Sequence, residues 1–260
     1  MCGRFILVQK LETIEKRFNL SPSLFDLSPS YNTGPGMYTP VVASNSKRCL
    51  QLFRFGMCPS WAKKDMFLLN ARTEGDRNSE NDVHYHGPKD IILKPSFRKP
   101  IRSQRCLVIA DAFIEGSTDE GLDKAHVVFL KNKVRPFAMA GIWDEWKNPV
   151  NGESVFSFAI ITTVANELMQ KIPHHRSPVI LEPWQESVWL NNDAPLSDIT
   201  AMLKPYDSNK MNAYPIGSSV KNKRNNFPEL LQPIGNNLND EAEIVIIESL
   251  YRQGFGRKDA

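Results

Sequence analysis

The sequence predicts an α+β fold: a mainly antiparallel, barrel-like sheet with scattered short helices. Three observations carry this expectation. Strand-like runs dominate the chain. They do not alternate regularly with helix-like ones, as a doubly wound sheet would require. And neither GxGxxG nor GxxxxGK[ST] occurs, so no phosphate-cradling loop marks a nucleotide fold. In chain order, residues 10–18 place Leu11, Ile14 and Phe18 at helical spacing and predict a short helix. Residues 32–36 (NTGPG) predict a turn, with Pro35-Gly36 suited to the centre of a type II turn. Residues 50–55 alternate as a strand does, and 105–115 (RCLVIADAFIE) read as one long buried strand. Residues 126–130, 137–143 and 154–163 add three strands. Residues 166–171 read as a short helix capped by Asn166, 178–181 as extended chain, and 184–190 and 196–203 as short helices. EIVIIESLYRQ in the tail fits a helix or a strand equally.

A chain of 260 residues is long enough for one large domain with a sizeable core. Its 41% hydrophobic and 23% charged residues describe an ordinary globular protein rather than a disordered one. We expect a single domain over 1–235 and a C-terminal extension over 236–260. The formal net charge is only +3, so any surface for nucleic acid must be a local patch. Cys2, Cys49, Cys58 and Cys106 show no CxxC spacing and lack a histidine cluster, which argues against a zinc site, and we expect no metal and no small-molecule cofactor. The thiols are expected to be reduced. No apolar run reaches the roughly 18 residues of a membrane helix, and the opening MCGRFILVQK lacks the layout of a signal peptide. The expectation is a cytoplasmic, DNA-associated monomer without membrane contact.

Cys2 is the residue with the most distinctive chemistry. Initiator methionine is usually removed when the second residue is small, and removal would leave an α-amine and a thiol on one residue. An α-amine has a reference pKa of about 7.7–8.0, against about 10.4 for lysine, so much of it is neutral and nucleophilic near neutral pH. It can attack an aldehyde to give a Schiff base. The neighbouring thiol can then close a five-membered thiazolidine ring. Taken alone, a cysteine near a terminus is ordinarily unremarkable, because termini fray.

The surrounding motifs change that assessment. Met1-Cys2-Gly3-Arg4-Phe5 opens the chain. Tyr31-Asn32-Thr33-Gly34-Pro35-Gly36, Phe55-Gly56-Met57-Cys58-Pro59-Ser60-Trp61 and Asn70-Ala71-Arg72-Thr73-Glu74 follow. Then come the segment 105–115, Ala140-Gly141-Ile142-Trp143, Thr162-Thr163, and His174-His175-Arg176-Ser177-Pro178-Val179-Ile180-Leu181. In this order the set resembles the SOS response-associated peptidase (SRAP) family from Met1 to about Pro233. The resemblance implies the SRAP fold and an abasic-site-processing protein, in which Cys2 forms a covalent thiazolidine crosslink with the aldehyde of an abasic site in single-stranded DNA. It implies catalytic roles for Cys2, Asn70, Glu115 and His174. Asn70 would orient the Cys2 adduct, Glu115 would shuttle protons, and His174 would act at the sugar in ring opening and reversal. It implies DNA contacts from Arg4, Trp61, Arg72 and Thr162. The family name also implies a peptidase, with Cys2 removing its own leader, and lyase-type chemistry on the abasic site. A third reading is a non-covalent reader of modified DNA bases. This chain departs from the family at Gly116 (usually Trp), Ile109 (Pro), Ala112 (Gly), Phe55 (Trp) and Ser177 (Met or Arg).

The residue types agree with these roles. Asn70 and Arg72 stand two apart and share one side of an extended segment. Asp111, Phe113 and Glu115 would share one face of their strand. A glutamate ending an apolar strand is ordinarily its first exposed residue, but in a pocket desolvation would raise its pKa into the useful range. His174 and His175 are adjacent, so on a strand only one would face the site. A histidine near its ordinary pKa could exchange protons at the sugar. His84 and His86 read as loop residues. Arg98, Lys99, Arg102 and Arg105 form one basic group and Lys221, Lys223 and Arg224 another. Such groups are ordinarily solvated surface, and with aromatics nearby they suit a phosphate-tracking groove for a single strand.

Overall fold

The structure is a computed structural model that describes residues 2–131 and 135–239. In chain order its strands and helices are β1 (Arg4–Leu7), α1 (Leu11–Phe18), β2 (Ser30–Thr33), β3 (Tyr38–Ala43), β4 (Leu50–Phe55), β5 (Asn70–Arg72), α2 (Pro100–Ser103), β6 (Arg105–Ala110), β7 (Ala112–Ser117), β8 (Gly121–Leu130), β9 (Phe137–Lys147), β10 (Ser154–Val164), α3 (Glu167–Lys171), β11 (Arg176–Pro178), β12 (Ile180–Leu181), α4 (Pro183–Leu190), α5 (Leu196–Ala201) and β13 (Met211–Pro215). Strands β3, β4, β10, β9 and β6 pair in a ring and close a five-stranded barrel, antiparallel except where β4 meets β10. An antiparallel sheet in the order β13-β8-β7-β1-β2 lies beside it. This is the α+β, barrel-like architecture the sequence predicts.

Side-chain alternation sorts the barrel residues into two sets. Val41, Phe53, Phe55, Val108, Met139, Phe158 and Ile160 fill the interior together with Cys2 and Phe5. Val42, Leu107, Ile109, Ala140 and Ile161 face outward into a second apolar layer, closed by Ile101, Trp189 and Ile199 from the helices. Phe55, where the family usually has Trp, stacks on Phe158 with centroids 5.3 Å apart and meets Phe5 edge-on at 5.6 Å.

Several local expectations hold. Helix α1 ends at Asn19, which takes the left-handed conformation (φ 52°). Asn166 caps α3 by accepting a hydrogen bond from Met169 N. The turn at Gly34–Met37 carries Gly36 at φ 85°, as the third residue of a type II turn requires, although Asn32 and Thr33 themselves belong to β2.

The segment 105–115 is not one strand. It breaks at Asp111 into β6, in the barrel, and β7, in the second sheet. The cause is the Asp111 carboxylate, which accepts hydrogen bonds from Val8 N (2.7 Å) and Gln9 N (3.1 Å) and holds the crossing point against β1. Only Phe113 and Glu115 of the predicted face therefore share a strand face. The extended run 178–181 is likewise divided at Val179 between β11, on β10, and β12, on β9. Gly116 has a steric reason: the β7–β8 ladder shifts register between Glu115 and Ser117, and a Cβ on Gly116 would lie 1.8 Å from the Gly121 carbonyl oxygen. No side chain fits there unless the hairpin moves. The tail motif EIVIIESLYRQ lies outside the described residues. Among the described residues no helix is long and apolar enough to cross a membrane.

Candidate active site

The pairing of β1 with β7 brings the first residues to Glu115. Arg4 stands opposite Ile114 and Phe5 opposite Phe113, so the ladder carried two residues further sets Cys2 opposite Gly116, one residue past Glu115, close enough for the Glu115 charge to act on the Cys2 thiol. Cys2 is 1% exposed and packs in the barrel interior. Burial, and then the charge of Glu115, push its thiol well above the usual range. The parallel pairing of β5 with β10 sets Asn70 beside Ile160 and Arg72 beside Thr162, so Asn70 and Arg72 share the interior side, as their spacing predicts. Asn70 Nδ2 donates to the Cys2 carbonyl oxygen at 3.0 Å, while Asn70 Oδ1 is buried without a hydrogen-bond partner.

Glu115 and His174 complete the group. Their carboxylate and imidazole face each other with Nε2 to Oε2 at 3.6 Å, and both side chains are buried. Burial raises the Glu115 pKa from its ordinary 4.5 to about 7 and lowers that of His174 to about 3. The near-neutral pKa expected for His174 is therefore replaced by an imidazole that stays neutral, because this site offers little solvent to an imidazolium. The two histidines also depart from strand alternation. They precede β11, which begins at Arg176, and their rings stack at 5.1 Å instead of pointing apart. What separates them is partners: His174 meets Glu115, whereas His175 Nδ1 lies 3.0 Å from the Thr118 hydroxyl.

The four DNA-contact candidates occupy different settings. Arg4 and Arg72 are partly exposed, and the Arg4 guanidinium fills the space over Gly34. Thr162 is 1% exposed, and both its carbonyl and its hydroxyl accept from Arg176 Nη2 (2.8 and 3.3 Å). Trp61 is 57% exposed, on a loop held by several interior bonds: Ser60 N to Asp144 Oδ2 at 2.7 Å, Cys58 N to Ser157 Oγ at 2.9 Å, and Trp146 Nε1 to the Ala62 carbonyl at 2.8 Å. No described contact joins Trp61 to Cys2, Asn70, Glu115 or His174. Arg105 is not part of a basic surface. It is 1% exposed and donates to the carbonyls of Ile101, Arg102, Trp189 and Asn191, and burial lowers its pKa to about 10.

Sequence reasoning missed the ion pair beneath the site. Glu74 and Arg176, each about 1% exposed, form a two-pronged salt bridge, with Arg176 Nη2 to Glu74 Oε2 at 3.1 Å and Nη1 on Oε1. It ties the segment of Asn70 and Arg72 to the segment of His174. The available signal was one unassigned acid and one unassigned base, each inside a motif whose neighbours had roles. Burial alone would raise the Glu74 pKa, but the Arg176 hydrogen bonds and charge outweigh it and hold the carboxyl below its ordinary value. Its contribution to stability is thus present above pH 4.5 and is lost as pH falls through the depressed value. Arg176→Met should cost about 3–5 kcal/mol by stranding a buried carboxylate, whereas Glu74→Met with Arg176→Met should recover most of that loss. Urea denaturation checks this; a single-variant cost under about 1 kcal/mol would remove the pair from the account of the site.

A closed α+β barrel that buries a cysteine beside a glutamate, a histidine and an asparagine from three distant segments defines the class of protein. The profile of the SOS response associated peptidase (SRAP) family matches residues 1–223, and the chain belongs to this family. It is 35% identical over 239 residues to the abasic site processing protein YoqW of Bacillus subtilis (strain 168), covering 89% of this chain and 99% of that protein. It is 30% identical over 237 residues to the abasic site processing protein HMCES of Gallus gallus, covering 79% of this chain and 66% of that one. A crystal structure of a Bacteroides thetaiotaomicron protein superposes with a TM-score of 0.71 at 28% identity, covering 83% of this chain and 92% of the other. A Bordetella bronchiseptica protein at 22% identity and a TM-score of 0.64, covering 83% of this chain and 99% of that one, shares the fold.

Proposed function

We propose that this protein processes abasic sites in single-stranded DNA by forming a thiazolidine between Cys2, freed by removal of Met1, and the sugar aldehyde. The observation that carries the reading is the convergence of Cys2, Asn70, Glu115 and His174 in one buried site. The abasic-site processing relatives support the substrate class.

The proton balance closes on Glu115. The Cys2 amine adds to the aldehyde carbon, a proton passes from nitrogen to oxygen, and a carbinolamine forms. Glu115, as the acid, protonates the hydroxyl, which leaves as water and gives an iminium. The Glu115 carboxylate then takes the thiol proton as sulfur closes on the same carbon. The products are a neutral thiazolidine and one water, with Glu115 again an acid. A carboxyl with pKa about 7 populates both forms at neutral pH, as this cycle requires. Removing the thiol proton in the bond-forming step also answers the raised pKa of the buried Cys2, which yields little free thiolate. Asn70, through Nδ2 on the Cys2 carbonyl, fixes the nucleophile and leaves Oδ1 to accept from the sugar. Neutral His174 assists the opened sugar and the reverse reaction as a hydrogen-bonding partner. We assign Arg4, Arg72 and Trp61 to the DNA backbone and bases, and Thr162 to the sugar-phosphate side through Arg176. Lyase-type chemistry would follow from the iminium; self-processing by Cys2 is a second outcome of the same nucleophile.

Incubation with an oligonucleotide carrying one abasic site should give an adduct that survives a denaturing gel. Single strands and junctions should react faster than duplex, and binding should weaken with salt as phosphate contacts release counterions. Equal reaction with duplex at every salt concentration would contradict the reading. His174→Ala should alter formation or slow reversal, at a scale of about 10²-fold for the loss of a preorganised hydrogen bond, whereas His175→Ala should leave both nearly unchanged. Time courses of formation, then reversal against excess competing abasic DNA, measure both. An impaired His175→Ala beside a normal His174→Ala would show that the two roles are exchanged.

A further inference from the structure

We infer that Arg98, Lys99 and Arg102 form a phosphate-binding ledge on the outer face of the barrel, where a DNA strand seated at Cys2 continues; the inference rests on the proposed function and extends it beyond the abasic nucleotide.

Charge compensation along one segment carries the argument. On the stretch between Glu74 and Lys131, the chain itself engages Arg77, Lys94 and Arg105. Arg77 Nε pairs with Asp90 Oδ2 at 2.5 Å, Lys94 pairs with Asp76, and Arg105 is saturated by four carbonyls. Arg98, Lys99 and Arg102 are exposed, and none forms an ion pair with a carboxylate among the described residues. Three cations thus stand together in a chain whose whole formal charge is +3. With Ile92, Leu93 and Ser103 they line one surface hollow. Arg102 is oriented there, since its Nη1 donates to the Ile92 carbonyl at 2.9 Å and to that of Arg98. Uncompensated cations around an open hollow fit an anion, and the spacing of several along a surface fits a polyanion.

The ledge is also within reach of the site. Ile91 N donates to the Thr73 carbonyl at 3.1 Å, and Thr73 follows Arg72. The path from Arg72 through Thr73, Ile91 and Ile92 to Arg102 crosses only two hydrogen bonds. It bounds the distance from the Arg72 Cα to the Arg102 guanidinium at about 20 Å, a few nucleotides of extended strand. Lys89, half-buried beside Glu74 and Arg176, lies on the same segment. The hollow itself sits on α2, whose Ile101 packs into the outer apolar layer, away from the interior that holds Cys2. A strand therefore reaches it only after leaving the barrel.

The test compares the protein with its Arg98→Glu, Lys99→Glu variant on abasic single strands of 7 and 25 nucleotides. Arg102 is left in place because it bonds backbone carbonyls. We expect the variant to need at least about tenfold more 25-mer for half-maximal adduct formation, with the rate at saturation and the 7-mer reaction unchanged. The slope of log affinity against log salt for the 25-mer should shrink by about 1.4, at about 0.7 per phosphate neutralised on a single strand. Millimolar inorganic phosphate should not reproduce the loss; if it does, the ledge is a site for small phosphates and not for a strand. Equal half-saturation of protein and variant with the 25-mer, or equal weakening with the 7-mer, overturns the ledge. If no adduct forms but 25-mer binding still depends on Arg98 and Lys99, the ledge stands and the covalent reading fails.

Discussion

Cys2→Ala is expected to abolish the denaturant-stable adduct. Both functional groups that build the thiazolidine belong to this one residue, and no other cysteine of the chain can supply an α-amine. The variant keeps a terminal amine, so borohydride should still trap a small amount of reduced imine, while the unreduced reaction shows only background on the gel. The fold should tolerate the change, because Cys2→Ala removes a single heavy atom, the sulfur, from the interior. An uncleaved N-terminal tag should remove even the imine, since it converts the amine to an amide. A tagged protein that crosslinks at the normal rate would exclude the Cys2 mechanism and leave nucleophiles elsewhere to be sought.

Glu115→Gln should slow adduct formation by about 10²–10⁴-fold, the usual range for a lost general acid–base, and at the same time stabilise the fold. Burial raises the carboxyl from its ordinary 4.5 to about 7. Between these values the native state holds a proton that the unfolded state has released, so this group makes stability fall as pH rises through that window. Above both values the penalty is roughly 3 kcal/mol, which a neutral amide avoids. The protein should therefore be less stable than Glu115→Gln at pH 8 and closely similar at pH 4.5. The rate profile should change as well. Formation should rise with pH as the Cys2 amine loses its proton and fall as Glu115 loses its acid form near pH 7, giving a bell. The variant should keep the rising limb and lose the falling one. A variant that is slow but no more stable at pH 8 would mean that Glu115 is better solvated than its burial implies.

Much of the chemistry was legible in local sequence. Asn70 and Arg72 share a side because a strand repeats every two residues, and this holds whatever the strand pairs with. Asn166 caps its helix through a contact three residues away. The errors came where partners are distant. The segment 105–115 has the composition of a continuous strand, and nothing within it shows that Asp111 will be held by the amides of Val8 and Gln9, over a hundred residues earlier. Arg105 looked like surface until four carbonyls, two of them from the far end of α4, enclosed it. The alternation argument for His174 and His175 failed because it assumed a strand that begins only at Arg176.

By itself the sequence determined the fold class, the family, and a candidate nucleophile with its candidate partners, because residue type, short-range periodicity and motif order are written in one dimension. Only the tertiary structure decided the state in which those residues meet. The pKa of Glu115, the neutrality of His174, the salt bridge of Glu74 with Arg176, and the division of the basic residues into enclosed, paired and unpaired sets all depend on desolvation and on contacts between segments far apart in the chain. Those quantities are set by what surrounds a group in space, and burial is a property of the closed barrel that no window of residues contains.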